Sequence, residues 1–315
     1  MTKKNPIIDI CKLYCSFLVV FIHVYEIRGT SAVGDTLIAC FCQMAVPFFF
    51  LVSGFLIGHK LDDPKYIKRK ILHLITLYCA WVIIWLPSII KIYLDENNSF
   101  FYFIGVLSRR VLLAGYGVYW YILVLAESIL VLYLLRKKNW IIVFLSGVGL
   151  FLGYCYDYSL IPIVKHTFYY VFSWSNNVIM KGIPFVYLGV LIRQHQSFLQ
   201  DKYKLSAFLF LLSTVIDIII YQSSGHGILF PLEAFFLFGF SVYNWGLSIE
   251  TKKLRDASTV FFFTHTIFIY LVLDPIWGPG FNVWLKYLFT VFACFFCFLI
   301  IKRINNKWIN WLVSV

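Results

Sequence analysis

Charged residues are scarce in this chain. Only 13% of its 315 residues are Asp, Glu, Lys or Arg, whereas 61% are hydrophobic and 20% are aromatic. Soluble domains carry about 25% charged and roughly 45–50% apolar residues. No water-soluble fold of this length hides so much apolar surface. The deficit excludes a cytosolic enzyme, a disordered chain, a coiled coil and a secreted disulfide scaffold, and it indicates a polytopic membrane protein.

Metal-ligand clusters are also lacking. The only Cys-x-x-Cys pair, Cys294 and Cys297, lies in a Phe-rich run, and no second Cys or His pair completes a zinc site. We therefore expect no metal and no tightly bound cofactor. A cleavable signal peptide is not expected either, because the first apolar segment carries Asp9, Lys12 and His23.

The cations are unevenly distributed. The net charge is +12, from 27 Lys and Arg against 15 Asp and Glu. The Lys and Arg residues cluster in short polar gaps beside apolar segments, as is typical of cytoplasmic loops. They do not form a soluble basic face that could bind nucleic acid. These clusters are Lys3-Lys4, Lys60, Lys65, 68–70, 136–138, Lys252, Lys253, Arg255 and 302–303.

Apolar segments of about 17–25 residues predict an all-α bundle of about ten transmembrane helices. The predicted spans are 7–25, 35–57, 71–93, 118–135, 140–155, 177–193, 205–222, 227–247, 258–273 and 283–301. Segment 100–115 is short and carries Arg109 and Arg110, so we interpret it as an amphipathic or re-entrant piece on the outer side. Both termini are then cytoplasmic. Without a linker or internal repeat, residues 1–315 are expected to form one membrane domain with no fused soluble domain.

Ionisable residues inside the first span are the strongest functional signal. At 100° per residue, Lys12 and His23 lie about 20° apart around the helix axis and about 16 Å apart along it. Asp9 is close enough in sequence to pair with Lys12. This stripe is typical of one wall of a polar cavity. The alternative is that Lys12 extends to the inner interface and His23 bonds a carbonyl inside the bundle.

Several motifs follow in order along the chain: Asp9-x-x-Lys12 with His23, the Phe-rich 46–56 with Ser53-Gly54, the basic 68–70, Tyr119-Trp120-Tyr121, the Pro-Phe…Gly segment 182–189, and Phe263-Thr264-His265. Together these motifs resemble the acyltransferase-3 family of membrane O-acyltransferases. The chain departs from the family where Lys12 replaces the usual Arg and Val118 replaces a His. Asn176 stands where the related membrane domain of vancomycin-type serine racemases has Arg.

The resemblance implies an acyl transfer from acetyl-CoA, used as a co-substrate, to a hydroxyl of a cell-surface or lipid-linked glycan. His23 is then the expected base, and Glu26 is positioned to orient it. Lys12, Lys68 and Arg69 are expected to bind the donor phosphates. Ser53, Trp120, Tyr121, Glu127 and His265 are assigned to the acceptor cavity.

Each assignment has an ordinary structural alternative: topology signals for the cations, close packing for Ser53 and an interfacial aromatic belt for Trp120 and Tyr121. Lys181, Asp217 and Glu233 are further intramembrane charges that each require a partner, and the sequence does not indicate which of them pair.

Function and location follow from the resemblance. We expect a multi-pass O-acetyltransferase of the cell (inner) membrane that modifies polysaccharide, with membrane lipid around it and no nucleic-acid partner. The alternative is a permease module for a small, amino-acid-like molecule, which would use the same charges as a substrate path. A scaffold protein ranks below both, because it needs no charges in its spans.

Overall fold

The computed structural model describes residues 5–25, 31–95, 104–105, 108, 117–157, 178–243, 250–278 and 281–314. Every regular element among these residues is helical, and none of them forms a strand. The predicted all-α class is confirmed.

The helices follow in chain order as α1 Pro6–Tyr25, α2 Ala32–Leu37, α3 Ala45–Ile57, α4 Pro64–Asp95, α5 Trp120–Leu135, α6 Asn139–Asp157, α7 Ile183–Gln194, α8 Gln196–Gln200, α9 Tyr203–Ser224, α10 Phe230–Val242, α11 Lys252–Ile267, α12 Asp274–Trp277, α13 Val283–Ile304 and α14 Lys307–Leu312. Wider π-helical turns occupy Ile38–Cys42, Val178–Gly182 and Phe268–Leu273, and short 3₁₀ turns occupy Gly58–Lys60 and Gly117–Tyr119.

Within the described part of the chain, seven helical stretches are long and apolar enough to cross a membrane. They are Pro6–Tyr25, Ala32–Lys60, Pro64–Lys91, Gly117–Leu135, Tyr203–Ser224, Lys252–Trp277 and Val283–Ile304. Two shorter apolar helices, Asn139–Cys155 and Phe230–Val242, coincide with two more predicted spans. The polytopic membrane architecture is confirmed. The count of ten stays a prediction, because most of 100–115 lies outside the described residues.

The chain divides into two compact units. The first contains residues 1–52 and 194–315, and the second contains 53–193, so the division falls inside α3. The expectation of a single domain over 1–315 stays a prediction.

Helices α1 and α11 of the first unit pack side by side and run in the same direction. The Thr251 hydroxyl, just before α11, donates to Asp9 Oδ2 over 2.7 Å. Two turns further along both helices, the hydroxyl oxygens of Ser16 and Ser258 are 2.7 Å apart. Both pairs are separated by 242 residues. A constant offset between contacting residues requires parallel helices, and the small serines allow close approach.

The parallel direction bears on topology. Two parallel spanning helices begin on the same side of the membrane, so an even number of crossings separates their starts. The predicted ten-span arrangement has that parity. The orientation of the termini stays a prediction.

Apolar side chains surround the α1–α11 contact toward the C-terminal ends of both helices, where α13 also packs. The buried cluster consists of Val20, Val24, Phe261, Ile269 and Cys294. Phe17 meets Phe261 edge to face at 5.3 Å between ring centroids. This core holds α1 and α11 in a fixed register. We call the line of polar contacts between them, from Asp9–Thr251 to Ser16–Ser258, the seam.

The second unit contains a close helix contact that depends on glycine. A Cβ on Gly54 of α3 would lie 2.0 Å from the carbonyl oxygen of Val186 on α7. Real Cβ atoms do not approach an oxygen so closely, so only glycine permits this contact. In the same unit, Trp85 Nε1 of α4 donates to the Tyr119 hydroxyl over 2.9 Å.

Candidate active site

The imidazoles of His23 and His265 lie next to each other in the first unit. Their ring centroids are 5.3 Å apart and their planes are inclined by 30°. On each helix the histidine lies seven residues beyond the serine of the Ser16–Ser258 pair. The seam between α1 and α11 therefore brings both rings to the same level.

His265 is held in one orientation by its own helix. The side chain is 0% exposed, and Nδ1 lies 2.8 Å from the carbonyl oxygen of Phe261. A carbonyl oxygen only accepts, so the proton is on Nδ1 and the neutral ring carries its lone pair on Nε2. Nε2 is buried and has no hydrogen-bond partner among the described residues. A basic nitrogen is thus presented beside His23.

His23 is the more accessible ring of the pair. It is half-buried on α1, whereas His265 is fully buried. The sequence assigned the base to His23 and the acceptor cavity to His265, and the fold places the two rings side by side. Glu26, the predicted partner of His23, lies outside the described residues.

Lys12 lies on the same seam, toward the start of α1. Its side chain is half-buried, and its backbone carbonyl accepts hydrogen bonds from Ser16 at 2.9 Å and Ser258 at 3.2 Å. The seam therefore fixes the backbone of Lys12 as well as the position of His23.

The predicted partner of Asp9 was Lys12, but the carboxylate has other contacts. Asp9 is buried, accepts the Thr251 hydrogen bond and lies 3.8 Å from a guanidinium nitrogen of Arg255. Sequence spacing considers only neighbours on α1, so it could not reveal partners on a helix far along the chain.

The predicted donor cations of the second unit lie in the first turns of α4. Lys68 and Arg69 are exposed there. Asp63 caps this helix, with Oδ1 accepting from the amides of Lys65 and Tyr66 at 3.0 and 3.1 Å. Arg69 Nε donates to the Lys65 carbonyl over 3.3 Å. These cations stand near a helix N-terminus, a location that favours anions.

Three of the four acceptor residues predicted in the second unit, Ser53, Trp120 and Tyr121, lie where α3 meets the start of α5. The Ser53 and Tyr121 hydroxyls are 3.1 Å apart, so α3 and α5 meet there. Tyr121 is buried, and Trp120 beside it is half-buried. Glu127 lies further along α5 and is also half-buried. Ser53 and Tyr121 were flagged separately, and the fold brings them together.

Two contact residues escaped the sequence prediction. Ser258 and Thr251 build the seam on α11, and neither had been assigned to the site. A serine seven residues before the flagged His265 matches Ser16 seven residues before His23. That repeated spacing is the signal that could have found the pair.

The comparison with known families decides the class. The model of a family described as an acyltransferase domain, acyltransferase-3, matches residues 5–232. The chain belongs to the acyltransferase-3 family. A serine/alanine racemase of Enterococcus gallinarum is 25% identical over 268 residues, which are 75% of this chain and 37% of that protein. The chain thus spans well under half the length of that relative. No solved structure matches it significantly.

Family and fold together make this protein a multi-pass membrane protein of the acyltransferase-3 family. The matched region contains His23, Lys12, Arg69 and Tyr121 but ends before α11. His265 therefore joins the candidate site through the packing of α11 on α1, not through the family match.

Proposed function

We propose that this acyltransferase moves an acetyl group from cytoplasmic acetyl-CoA to a hydroxyl of a cell-surface or lipid-linked glycan, at the cell membrane. The observation that carries the proposal is the adjacent pair His23 and His265, half-buried and buried respectively, with Nδ1 of His265 bonded to the Phe261 carbonyl. An ester-forming transfer needs a base for the hydroxyl proton, and imidazole is the side chain suited to this near neutral pH.

The chemistry is a direct transfer. His23 accepts the hydroxyl proton while the oxygen attacks the thioester carbonyl. The carbon–oxygen bond forms, the carbon–sulfur bond breaks, and the departing thiolate takes up the proton. His265 supports this step electrostatically, because a neutral neighbour does not oppose the positive charge that forms on His23. Full burial and the bond to Phe261 favour that neutral state.

Donor binding is assigned to cations at the start of α4. Arg69 and Lys68 are exposed beside a helix N-terminus, where phosphate groups are favoured by charge and by backbone amides. Lys12 is proposed to contribute from α1. Trp120, Tyr121, Ser53 and Glu127 form the proposed acceptor side, with Trp120 available to stack on a sugar ring.

The experiment measures transfer of label from radioactive acetyl-CoA to the glycan fraction of membranes that contain the protein. We expect His23→Ala to reduce the rate by about 10²–10⁴-fold, the usual contribution of a general base. His195→Ala is the matched control, since His195 is exposed. If His23→Ala retained more than about a third of the wild-type rate, the assignment of the base would be wrong.

A second outcome addresses the permease alternative. Transport of radioactive serine into vesicles, without any acetyl transfer, would support a permease module and overturn the proposed reaction. The serine/alanine racemase similarity makes serine the appropriate probe.

A further inference from the structure

Two carboxylates are buried in the hairpin formed by α9 and α10 of the first unit. Asp217 on α9 and Glu233 in the first turn of α10 are each 0% exposed. Neither forms an ion pair with a described residue. Burying an ionised carboxylate without a counter-charge is costly, so their placement requires an explanation.

Asp217 is held so that one of its oxygens stays available. Oδ1 accepts hydrogen bonds from the amides of Ile228 and Leu229, at 2.7 and 2.8 Å, where α10 begins. Oδ2 is buried and has no hydrogen-bond partner in the described part of the chain. The two amides thus orient the carboxylate and leave Oδ2 as a ligand atom.

Glu233 presents two more unsatisfied oxygens. Both Oε1 and Oε2 are buried without a hydrogen-bond partner among the described residues. The Thr214 hydroxyl donates to the carbonyl of Phe210 at 2.9 Å. Glu233 is therefore a second buried carboxyl group whose oxygens have no donor among the described residues.

A backbone carbonyl approaches the same place. A Cβ on Gly227 would lie 2.8 Å from Asp217 Oδ2 and 2.4 Å from the carbonyl oxygen of Ala39, in the π-helical turn Ile38–Cys42. The two oxygens are therefore close neighbours, and glycine leaves the space between them open. Glu233 lies one helical turn beyond Leu229, whose carbonyl oxygen accepts a hydrogen bond from the Glu233 amide at 3.0 Å and whose amide binds Asp217, so both acidic residues lie at the start of α10.

We propose that Asp217, Glu233 and the Ala39 carbonyl bind a small hard metal cation, of the Na⁺ or Ca²⁺ type. Carboxylate and carbonyl oxygens are the ligands these cations prefer. The proposed site uses two carboxylates and a backbone carbonyl, since no described group combines three or more His, Cys, Asp and Glu side chains suited to a metal. The bound cation fastens the α9–α10 hairpin to the turn after α2.

Thermal unfolding of the purified full-length protein in detergent at pH 8 tests the site. NaCl, KCl and choline chloride are compared at equal ionic strength, and CaCl₂ is titrated separately. We expect NaCl or CaCl₂ to raise Tm by a few degrees in a saturable manner, because a ligand of the folded state stabilises it by mass action. Asp217→Asn and Glu233→Gln should lose most of this rise, whereas Asp201→Asn, in an exposed turn, should keep it.

If the carboxamide variants fail to fold, direct measurement of ion binding to the wild-type protein still tests the proposal. Radioactive ²²Na⁺ or ⁴⁵Ca²⁺ should bind at one site per chain. The proposal is overturned if neither ion binds, if all salts act alike, or if the carboxamide variants respond as the wild type does. A wild-type Tm that rises only on acidification would also overturn it, since the occupant would then be a proton.

Discussion

Ser16 and Ser258 share a 2.7 Å contact between their hydroxyl oxygens, seven residues before His23 and His265 on the same two helices. The contact is buried, and each serine also reaches the carbonyl of Lys12. Polar pairs of this kind join apolar helices without a hydrophobic driving force between them. The register of the histidines is therefore determined by the serines.

A double-mutant cycle on Ser16→Ala and Ser258→Ala measures this contact. We expect a coupling free energy of about 0.6 kcal/mol, the average for such bonds in membrane proteins. Unfolding in detergent gives the four stabilities. Strict additivity of the single variants would show that the pair does not hold α1 against α11.

The contribution of His265 to acetyl transfer can be separated from its contribution to stability. His265→Asn keeps an N–H near the Nδ1 position for the Phe261 carbonyl but removes the Nε2 lone pair. We expect near-normal thermal stability with acetyl transfer reduced by about tenfold or more. The comparison with His265→Ala, which also loses the carbonyl bond, distinguishes the contributions. Wild-type transfer by His265→Asn would remove His265 from the site.

Arg69 should affect the donor more than the chemical step. A charge-assisted phosphate contact contributes about 1.5 kcal/mol or more, so Arg69→Ala should raise the KM for acetyl-CoA about tenfold with little change in kcat. Lys65→Ala is the matched control, because Lys65 is exposed one turn earlier on α4. An equal effect of both variants would indicate general surface charge instead of a donor site.

Gly54 should tolerate no side chain. The Cβ of Gly54→Ala would overlap the Val186 carbonyl oxygen at 2.0 Å, and such overpacking costs about 1–3 kcal/mol or more. Gly147→Ala is the control, since no heavy atom lies within 4 Å of its Cβ position and alanine is the better helix former. Thermal unfolding of both variants should show a lowered Tm for the first alone.

Cysteine labelling tests the orientation in the membrane. Asn97→Cys and Pro279→Cys should react with an impermeant maleimide from outside, in a background lacking Cys155. Lys253→Cys should not react, because the basic segment 252–255 is expected to be cytoplasmic. External labelling of position 253 would contradict the ten-span arrangement.

The sequence was sufficient for properties that depend on one helix at a time. Periodicity put Lys12 and His23 on one face of α1, and that face does carry the seam. It could not choose His265 as the neighbour of His23, because the pairing of two distant helices depends on packing in three dimensions. For the same reason Asp9 was matched with Lys12 and not with Thr251. The π-helical turns have no clear signal in the amino-acid composition. The approach of the Ala39 carbonyl to Asp217 could therefore not be predicted from the sequence either.

The contact between α1 and α11 also implies a delay during biosynthesis, because the two helices are synthesised far apart in time. Its two helices are separated by 242 residues of chain. At about 5–20 residues per second, α1 waits roughly 10–50 s after its own synthesis before α11 has been made. During that interval the polar stripe with Lys12 and His23 lacks its final neighbour in the bilayer. A nascent chain arrested before α11 should therefore be inserted in the membrane yet inactive, because His23 lacks His265 as its neighbour.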